Sequence, residues 1–231
     1  MFDEAGREIL ARVRHASRRR SRADIQEALD TLPTVPSAPL LDDDLRVAFL
    51  ARVLRNGGSC DLGNGRRGAV DAIGKFVAQR HGQRRVVAGH DPRLAALPWR
   101  DGGLLPRFGA AESGDPVAIS YARCAVAETC SVLLDLDRDN PAGTNLLAED
   151  HLVLVDVAAI VARLEEVWPS ADPGSQGGPR GQMLVSGPSS TADIGLQLVT
   201  GAHGPRCWHV IVVGSALETS IAQRARDVAA I

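Results

Sequence analysis

HLVLVDVAAIVARLEEVW, residues 151–168, decides the fold class. Its first six residues alternate too little polarity for a half-solvated strand. A continuously apolar run of this length suits a strand covered on both faces of a sheet. The twelve residues that follow space their apolar positions as an amphipathic helix does, predicting a helix over 157–168. Working outward, similar short apolar runs recur at RRVVAG (84–89), VAISYA (117–122), CSVLLDL (130–136), QMLVSG (182–187) and CWHVIVVG (207–214). LRVAFLARVL (45–54) and AVDAIGKFVAQ (69–79) carry helical spacing between them. Alternating helices and buried strands predict a three-layer α/β domain around an open, mainly parallel sheet.

Residues 3–20 also read as a helix, with Ile9, Leu10 and Val13 on one side and the arginines Arg18, Arg19, Arg20 and Arg22 at its end. TLPTVPSAPLLDDD (31–44) breaks the periodicity and reads as a tether. The expected organisation is therefore an N-terminal helix with a Pro-rich tether over 1–44, an α/β domain over 45–214, and a C-terminal extension over 215–231. SADPGSQGGPRG (170–181) reads as a surface loop.

Composition narrows the functional classes. The 231 residues carry a net charge of −2, which argues against a globally basic nucleic-acid binder. Lys75 is the only lysine, so arginine supplies nearly all positive charge. Aromatic residues make up 3%, too few for base-stacking platforms. Cys60, Cys124, Cys130 and Cys207 form no C-x-x-C pair and no ferredoxin spacing, so each reads as a small buried apolar residue. No apolar run approaches the ~20 residues of a membrane helix. The opening MFDEAGREIL lacks a signal-sequence pattern, and a cytoplasmic location is expected.

Three segments hold the candidate chemistry. Gly63-Asn64-Gly65-Arg66-Arg67-Gly68 matches G-x-G-x-x-G, with Asp91 downstream where a ribose-binding acid would stand. The residues before it, NGGSCDL, make a poor buried strand, so a dinucleotide site is not expected. No Walker-type loop and no G-x-S-x-G elbow is present. The second segment, SGPSSTADIGLQLVTGAHGP (186–205), predicts a strand end, a turn at Gly187-Pro188 and a helix start, with Ser190 and Asp193 spaced as a capping box. Amides at such a turn, with Ser189, Ser190 and Thr191, suit a small anion, or the same hydroxyls merely cap the helix. His203, beside Gly204 in the following turn, is a candidate acid, base or ligand, or a turn residue. In the third segment, Glu128 and Thr129 precede an apolar strand. Glu128 is a candidate acid/base or nucleophile, or a loop carboxylate in solvent. No histidine spacing supports a metal site.

Together the last two segments resemble the lactate utilisation protein C (LutC-type, LUD-domain) family. GPSSTADI with VTGAHGP, and AETCSVLL with NLLAEDHLVLVD, carry the resemblance, and REILARVR is similar to the family's opening helix. This chain departs from the family pattern at Gly195, at Cys130-Ser131 and at Ala148-Glu149. The resemblance implies a fold like that of ribose-5-phosphate isomerase and the CoA transferases (NagB/RpiA type). It also implies a part in oxidising L-lactate to pyruvate beside LutA/LutB-type partners that carry the iron–sulfur clusters, with no cofactor on this chain. The expected role is binding a small anion or a partner. Gly187, Ser189, Ser190, Thr191, Asp193, Thr129 and Gly204 are the expected ligand-binding residues, with Glu128 and His203 as catalytic candidates, at the carboxyl ends of the strands. The alternative is a stand-alone transferase or ligase-like enzyme acting on an acyl or phosphorylated substrate with Glu128 as nucleophile.

Overall fold

The computed structural model describes residues 4–16, 21–31, 38–138, 140–170, 179–192 and 198–231, and its contacts divide into two units, Met1–Ala38 and Pro39–Ile231. The first unit holds α1 (Glu4–Ala16) and α2 (Arg22–Asp30). α2 falls where only an arginine-rich helix end was expected. Its start is a capping box in which Asp24 N–H donates to Ser21 Oγ and Ser21 N–H donates to the Asp24 carboxylate. Arg18, Arg19 and Arg20 lie outside the described residues.

The second unit runs α3 (Leu45–Arg55), β1 (Ser59–Asn64), α4 (Gly65–His81), β2 (Arg85–Ala88), α5 (Pro92–Ala95), β3 (Leu105–Phe108), β4 (Val117–Tyr121), β5 (Cys124–Val126) and β6 (Val132–Leu136). It continues with α6 (Ala142–Leu146), β7 (Asp150–Asp156), β8 (Ile160–Val161), β9 (Gly181–Val185), β10 (Ser190–Ala192), β11 (Leu198–Thr200), β12 (Cys207–Gly214) and α7 (Thr219–Ala229). Six strands form one sheet in the order β1-β12-β7-β4-β2-β3, and every neighbouring pair is parallel. The expected three-layer α/β architecture is therefore the observed one.

Strand alternation sorts the core. Leu152, Leu154, Ile211 and Val213 face α4 and the segment around Leu94 and Trp99. Val153, Val155, Trp208, Val210 and Val212 face α3, α7 and a second sheet. That second sheet, ordered β8-β5-β6-β9, lays Ala125, Val132 and Leu134 on the same core. The 215–231 extension is part of this body, since Ile221 and Ala225 of α7 are buried against α3.

Two expectations about local structure are corrected. The helix predicted over 157–168 is a 3₁₀ turn at Val157–Ala159, strand β8, and a 3₁₀ segment at Leu164–Ser170. The β-branched pair Ile160–Val161 aligns with Ala125 and Val126 of β5, and that pairing overrides the helical spacing. Val167 is still buried, against Cys124, Val126 and Leu133 on the second sheet's other face. The poor strand before the glycine motif does form, as the edge strand β1 beside β12. Gly63 is needed there for packing: a Cβ on it would lie 2.8 Å from the Ala69 backbone.

Candidate functional site

The functional candidates gather at the amino ends of β7 and β12, on the face that looks toward the second sheet. A cavity of about 250 Å³ lies there, lined among others by Asn145, His151, Ser186, Ser189, His203 and Trp208. Its inner wall is built by alternation: His151 and Trp208 are the second residues of their strands and share a face with Val153 and Val210. Asn145 comes from α6, the short helix that leads into β7.

The polar groups of this wall are ordered by one chain of hydrogen bonds. Ser120 Oγ donates to Asn145 Oδ1 at 2.5 Å, and His151 Nε2 stands 3.1 Å from the same hydroxyl. Ser120 has a single proton, already given to Asn145, so the ring nitrogen is the donor. His151 therefore carries its proton on Nε2. Burial lowers its pKa to about 4, so the ring is neutral at pH 7. Three polar atoms are left over. Asn145 Nδ2, His151 Nδ1 and Trp208 Nε1 are buried without a hydrogen-bond partner, on side chains of residues no more than 2% exposed. Leaving a buried donor or acceptor unmade costs about 1–3 kcal/mol each. Each of the three atoms has less than 1 Å² of accessible surface, so they lie behind the cavity's lining rather than open to it.

The outer wall comes from the segments singled out by sequence. Ser189 N–H donates to the Pro205 carbonyl at 2.9 Å and Gly201 N–H to the Ser189 carbonyl at 2.8 Å, clamping the two segments together. The chain passes close here, since a Cβ on Gly204 would sit 3.1 Å from Ser189 Cβ. Behind them, Thr129, Ser131 and Ser186 form a hydroxyl chain with 2.7 Å links. Asn56 Nδ2, at the end of α3, holds the Ser186 carbonyl at 2.9 Å. His203, Gly204 and Leu146 also line a wider outer cavity with Glu149 and Arg206, which adjoins the inner one.

Gly187, Ser189, His203 and Gly204 are thus brought to the cavity, and Thr129 reaches it only through Ser131 and Ser186. Ser190 and Thr191 do not line it. They form β10, paired antiparallel with β11, so the expected helix start with its amide cradle is replaced by a hairpin. The β-branched residues Thr191, Val199 and Thr200 favour that ladder. Asp193 and Gly195 lie outside the described residues. Glu128 is also elsewhere, its carboxylate engaged by Arg163 Nη1 at 2.9 Å. Asn145, His151, Trp208 and Ser120 were not among the expected site residues. A lone histidine, asparagine or tryptophan in an apolar run gives no signal until strand alternation and α6 bring them together.

This cavity lies at the opposite end of the sheet from the one at which a ligand was expected. Open α/β sheets commonly bind ligands at the carboxyl ends of their strands. Here that end has a cavity of about 560 Å³ beside Gly65, Arg93, Tyr121 and Asp156, and the last three are already engaged. Arg93 bonds Asp91 at 2.7 Å and stacks 3.9 Å from the Tyr121 ring centre, while Tyr121 donates to Asp156 at 3.0 Å. The cavity falls at this end because the His203 loop precedes β12 and Asn145 precedes β7. Among the described residues no three His, Cys, Asp or Glu side chains converge as a metal site. No helix among them is long and apolar enough to cross a membrane.

A parallel α/β protein with a small cavity between its main sheet and its second sheet is the class that fold and site define. Comparison with known proteins makes this particular. The LUD domain family matches residues 115–213, the stretch that carries all of the cavity except its support from α3. The chain is 30% identical over 194 residues to lactate utilization protein C of Deinococcus radiodurans, covering 80% of this chain and 87% of the relative. It is 24% identical over 155 residues to lactate utilization protein C of an Exiguobacterium species, covering 62% of this chain and 67% of that protein. With the same-named protein of Macrococcus caseolyticus it shares 27% over 142 residues, spanning 56% of this chain and 61% of that protein. In fold, a crystallised DUF162 family protein from Deinococcus radiodurans superposes with a TM-score of 0.53 at 22% identity, over 74% of this chain and 96% of that one. The chain belongs to the LUD-domain family of lactate utilization protein C type.

Proposed function

We propose that this chain is the small-ligand-binding component of a lactate-utilising system and carries out no redox step itself. Electron transfer in this reading falls to LutA/LutB-type iron–sulfur partners, and the chain holds a small polar ligand, a carboxylic acid, at the His151 cavity. The observation that carries the reading is the cavity of about 250 Å³ lined by His151, Ser189 and His203, in a chain whose relatives are named for lactate utilisation. The cavity lies within the matched LUD domain, so it is a property of the part of the chain that the relatives share.

The test is genetic and biochemical. Deleting the gene should abolish growth of the source cells on L-lactate while leaving growth on pyruvate. The full chain should restore it, and Asn145→Leu, which replaces a polar residue of the cavity lining, should not. A tagged full chain drawn from lactate-grown cells should bring iron with it. Unchanged growth of the deletion strain on lactate would overturn the role, and an iron-free pull-down would overturn the partnership.

A further inference from the structure

We infer that the cavity at the carboxyl ends of β4, β7 and β12 is a second ligand site, for a mononucleotide, with the phosphate at Arg66 and the start of α4, the sugar hydroxyls on Asp156 and the base on the apolar floor between them. The site stands at the other end of the sheet from the His151 cavity and does not rest on the reading given to that cavity.

Strand register fixes the layout. Tyr121 of β4 lies beside Leu154 of β7, Asp156 of β7 beside Val213 of β12, and Gly214 of β12 beside Asn64 of β1. Tyr121, Leu154 and Val213 belong to one buried face with Leu97, and these four form the floor of a cavity of about 560 Å³. That volume is within the roughly 300–1,000 Å³ of pockets for small molecules and cofactors, which are lined mainly by apolar groups with a few placed polar ones. The rim is open to solvent, since Gly65, Arg66 and Ser215 are exposed.

The two ends of the cavity differ in polarity. Burial, with the Asp156 charge beside it, pushes the Tyr121 pKa up, so the phenol keeps its proton and donates it to Asp156 Oδ1 at 3.0 Å. The second oxygen of that carboxylate stays an acceptor for a ligand hydroxyl. At the other end Arg66 uses one of its five donors, on the Ala96 carbonyl at 3.3 Å. Asn64, the N-cap of α4, exchanges hydrogen bonds with the Leu217 backbone instead of capping the helix. An arginine beside uncapped amides favours an anion. Two strand spacings, about 10 Å, separate β7 from β1 across β12. A phosphate and a sugar carried on one base answer both ends and set the base over the floor. The same spacing excludes the dinucleotide arrangement that G-x-G-x-x-G suggests. There the ribose acid follows the strand next to the glycine turn. Here Asp91 follows β2, four spacings or about 19 Å from β1, and Arg93 already holds its carboxylate at 2.7 Å.

The experiment titrates the full chain by calorimetry with ADP, adenosine and inorganic pyrophosphate at pH 7.5. The expected result is saturable binding of ADP at one site per chain, at a Kd at least tenfold lower than for adenosine or pyrophosphate. Arg66→Ser, at an exposed position, should weaken ADP tenfold or more, the loss expected for a charge-assisted hydrogen bond, and leave adenosine where it was. Asp156→Asn should weaken ADP and adenosine by the same factor and leave pyrophosphate unchanged. Ser189→Ala, in the His151 cavity, should change none of the three. If Asp156→Asn does not fold, Arg66→Ser with the three ligands decides the matter alone. Pyrophosphate binding as tightly as ADP would overturn the nucleotide assignment, and ADP binding that neither variant moves would overturn the location. Absence of any saturable ADP binding would overturn the inference altogether.

Discussion

Asp150 opens β7 one residue before His151, and the way it is held predicts an asymmetry that two substitutions can measure. Its carboxylate accepts from Arg80 Nε at 2.5 Å, from Arg80 Nη2 at 3.1 Å and from His81 Nε2 at 2.8 Å. These bonds tie the C-terminal turn of α4 to the amino edge of the sheet, beside the candidate site. The partners are not equivalent, since the Arg80 side chain is 44% exposed and that of Asp150 is 0%. Arg80→Met keeps a stem over the Phe76 ring, where the guanidinium now lies 5.6 Å from the centroid, but leaves a buried carboxylate with His81 alone. Breaking a buried pair in this way costs about 3–5 kcal/mol. Asp150→Asn removes the buried charge and lets Arg80 turn to water, so its cost is that of weakened hydrogen bonds, about 1–2 kcal/mol. In a domain of this size each kcal/mol moves Tm by roughly 2–4 °C, so Arg80→Met should fall by ~6–20 °C and Asp150→Asn by ~2–8 °C. Urea unfolding at pH 7, followed by tryptophan fluorescence and compared at equal m-values, gives the same ordering in free energy. An Asp150→Asn loss equal to or larger than that of Arg80→Met would refute the argument, because the dependent member of the pair would then not be the carboxylate.

Three further predictions follow from burial and packing. Burial depresses both His151 and His209 from 6.5 to about 4, so below pH 6.5 the unfolded chain takes up protons that the folded chain refuses. Stability should be level above pH 6.5 and fall toward pH 4 by up to about 1.4 kcal/mol per pH unit for each ring. A urea midpoint that stays flat from pH 6.5 to 4.5 would contradict this. Burial also pushes the Cys60 and Cys130 thiols up to about 11, from 9.0. Iodoacetamide at pH 8 should therefore alkylate them on the order of a hundredfold more slowly in the folded chain than in urea, read by mass spectrometry. Comparable rates in the two states would remove the burial argument. Gly63→Ala should lower stability by about 1–3 kcal/mol through the clash with the Ala69 backbone, measured by urea unfolding. A neutral result would mean that β1 and α4 can separate without loss.

Much of the main body could be read before folding. The runs at 84–89, 117–122, 130–136, 151–156, 182–187 and 207–214 correspond to β2, β4, β6, β7, β9 and β12, because strands covered on both faces must be continuously apolar. Short edge and second-sheet strands were not visible. β1, SCDLGN, and β3, LPRF, have only one neighbour each and need little apolar character. Half of the candidate site was legible as the clamped segments around Ser189 and Gly204, whose small and hydroxyl residues stand out in a turn. The other half was not. His151 and Trp208 are embedded in apolar runs, and nothing local distinguishes them from core residues.

By itself, then, the sequence determined the α/β class, the family, and the two segments that close the cavity, since apolar run length and turn composition act locally. Tertiary structure alone decided that 157–168 gives up its helical spacing to pair Ile160–Val161 with β5. It likewise decided that the candidate site stands at the amino ends of β7 and β12. The physical reason in both cases is pairing at a distance. Strand alternation and α6 bring Ser120, Asn145, His151 and Trp208 from four elements to one place, and only there does the Ser120 hydroxyl link Asn145 to His151.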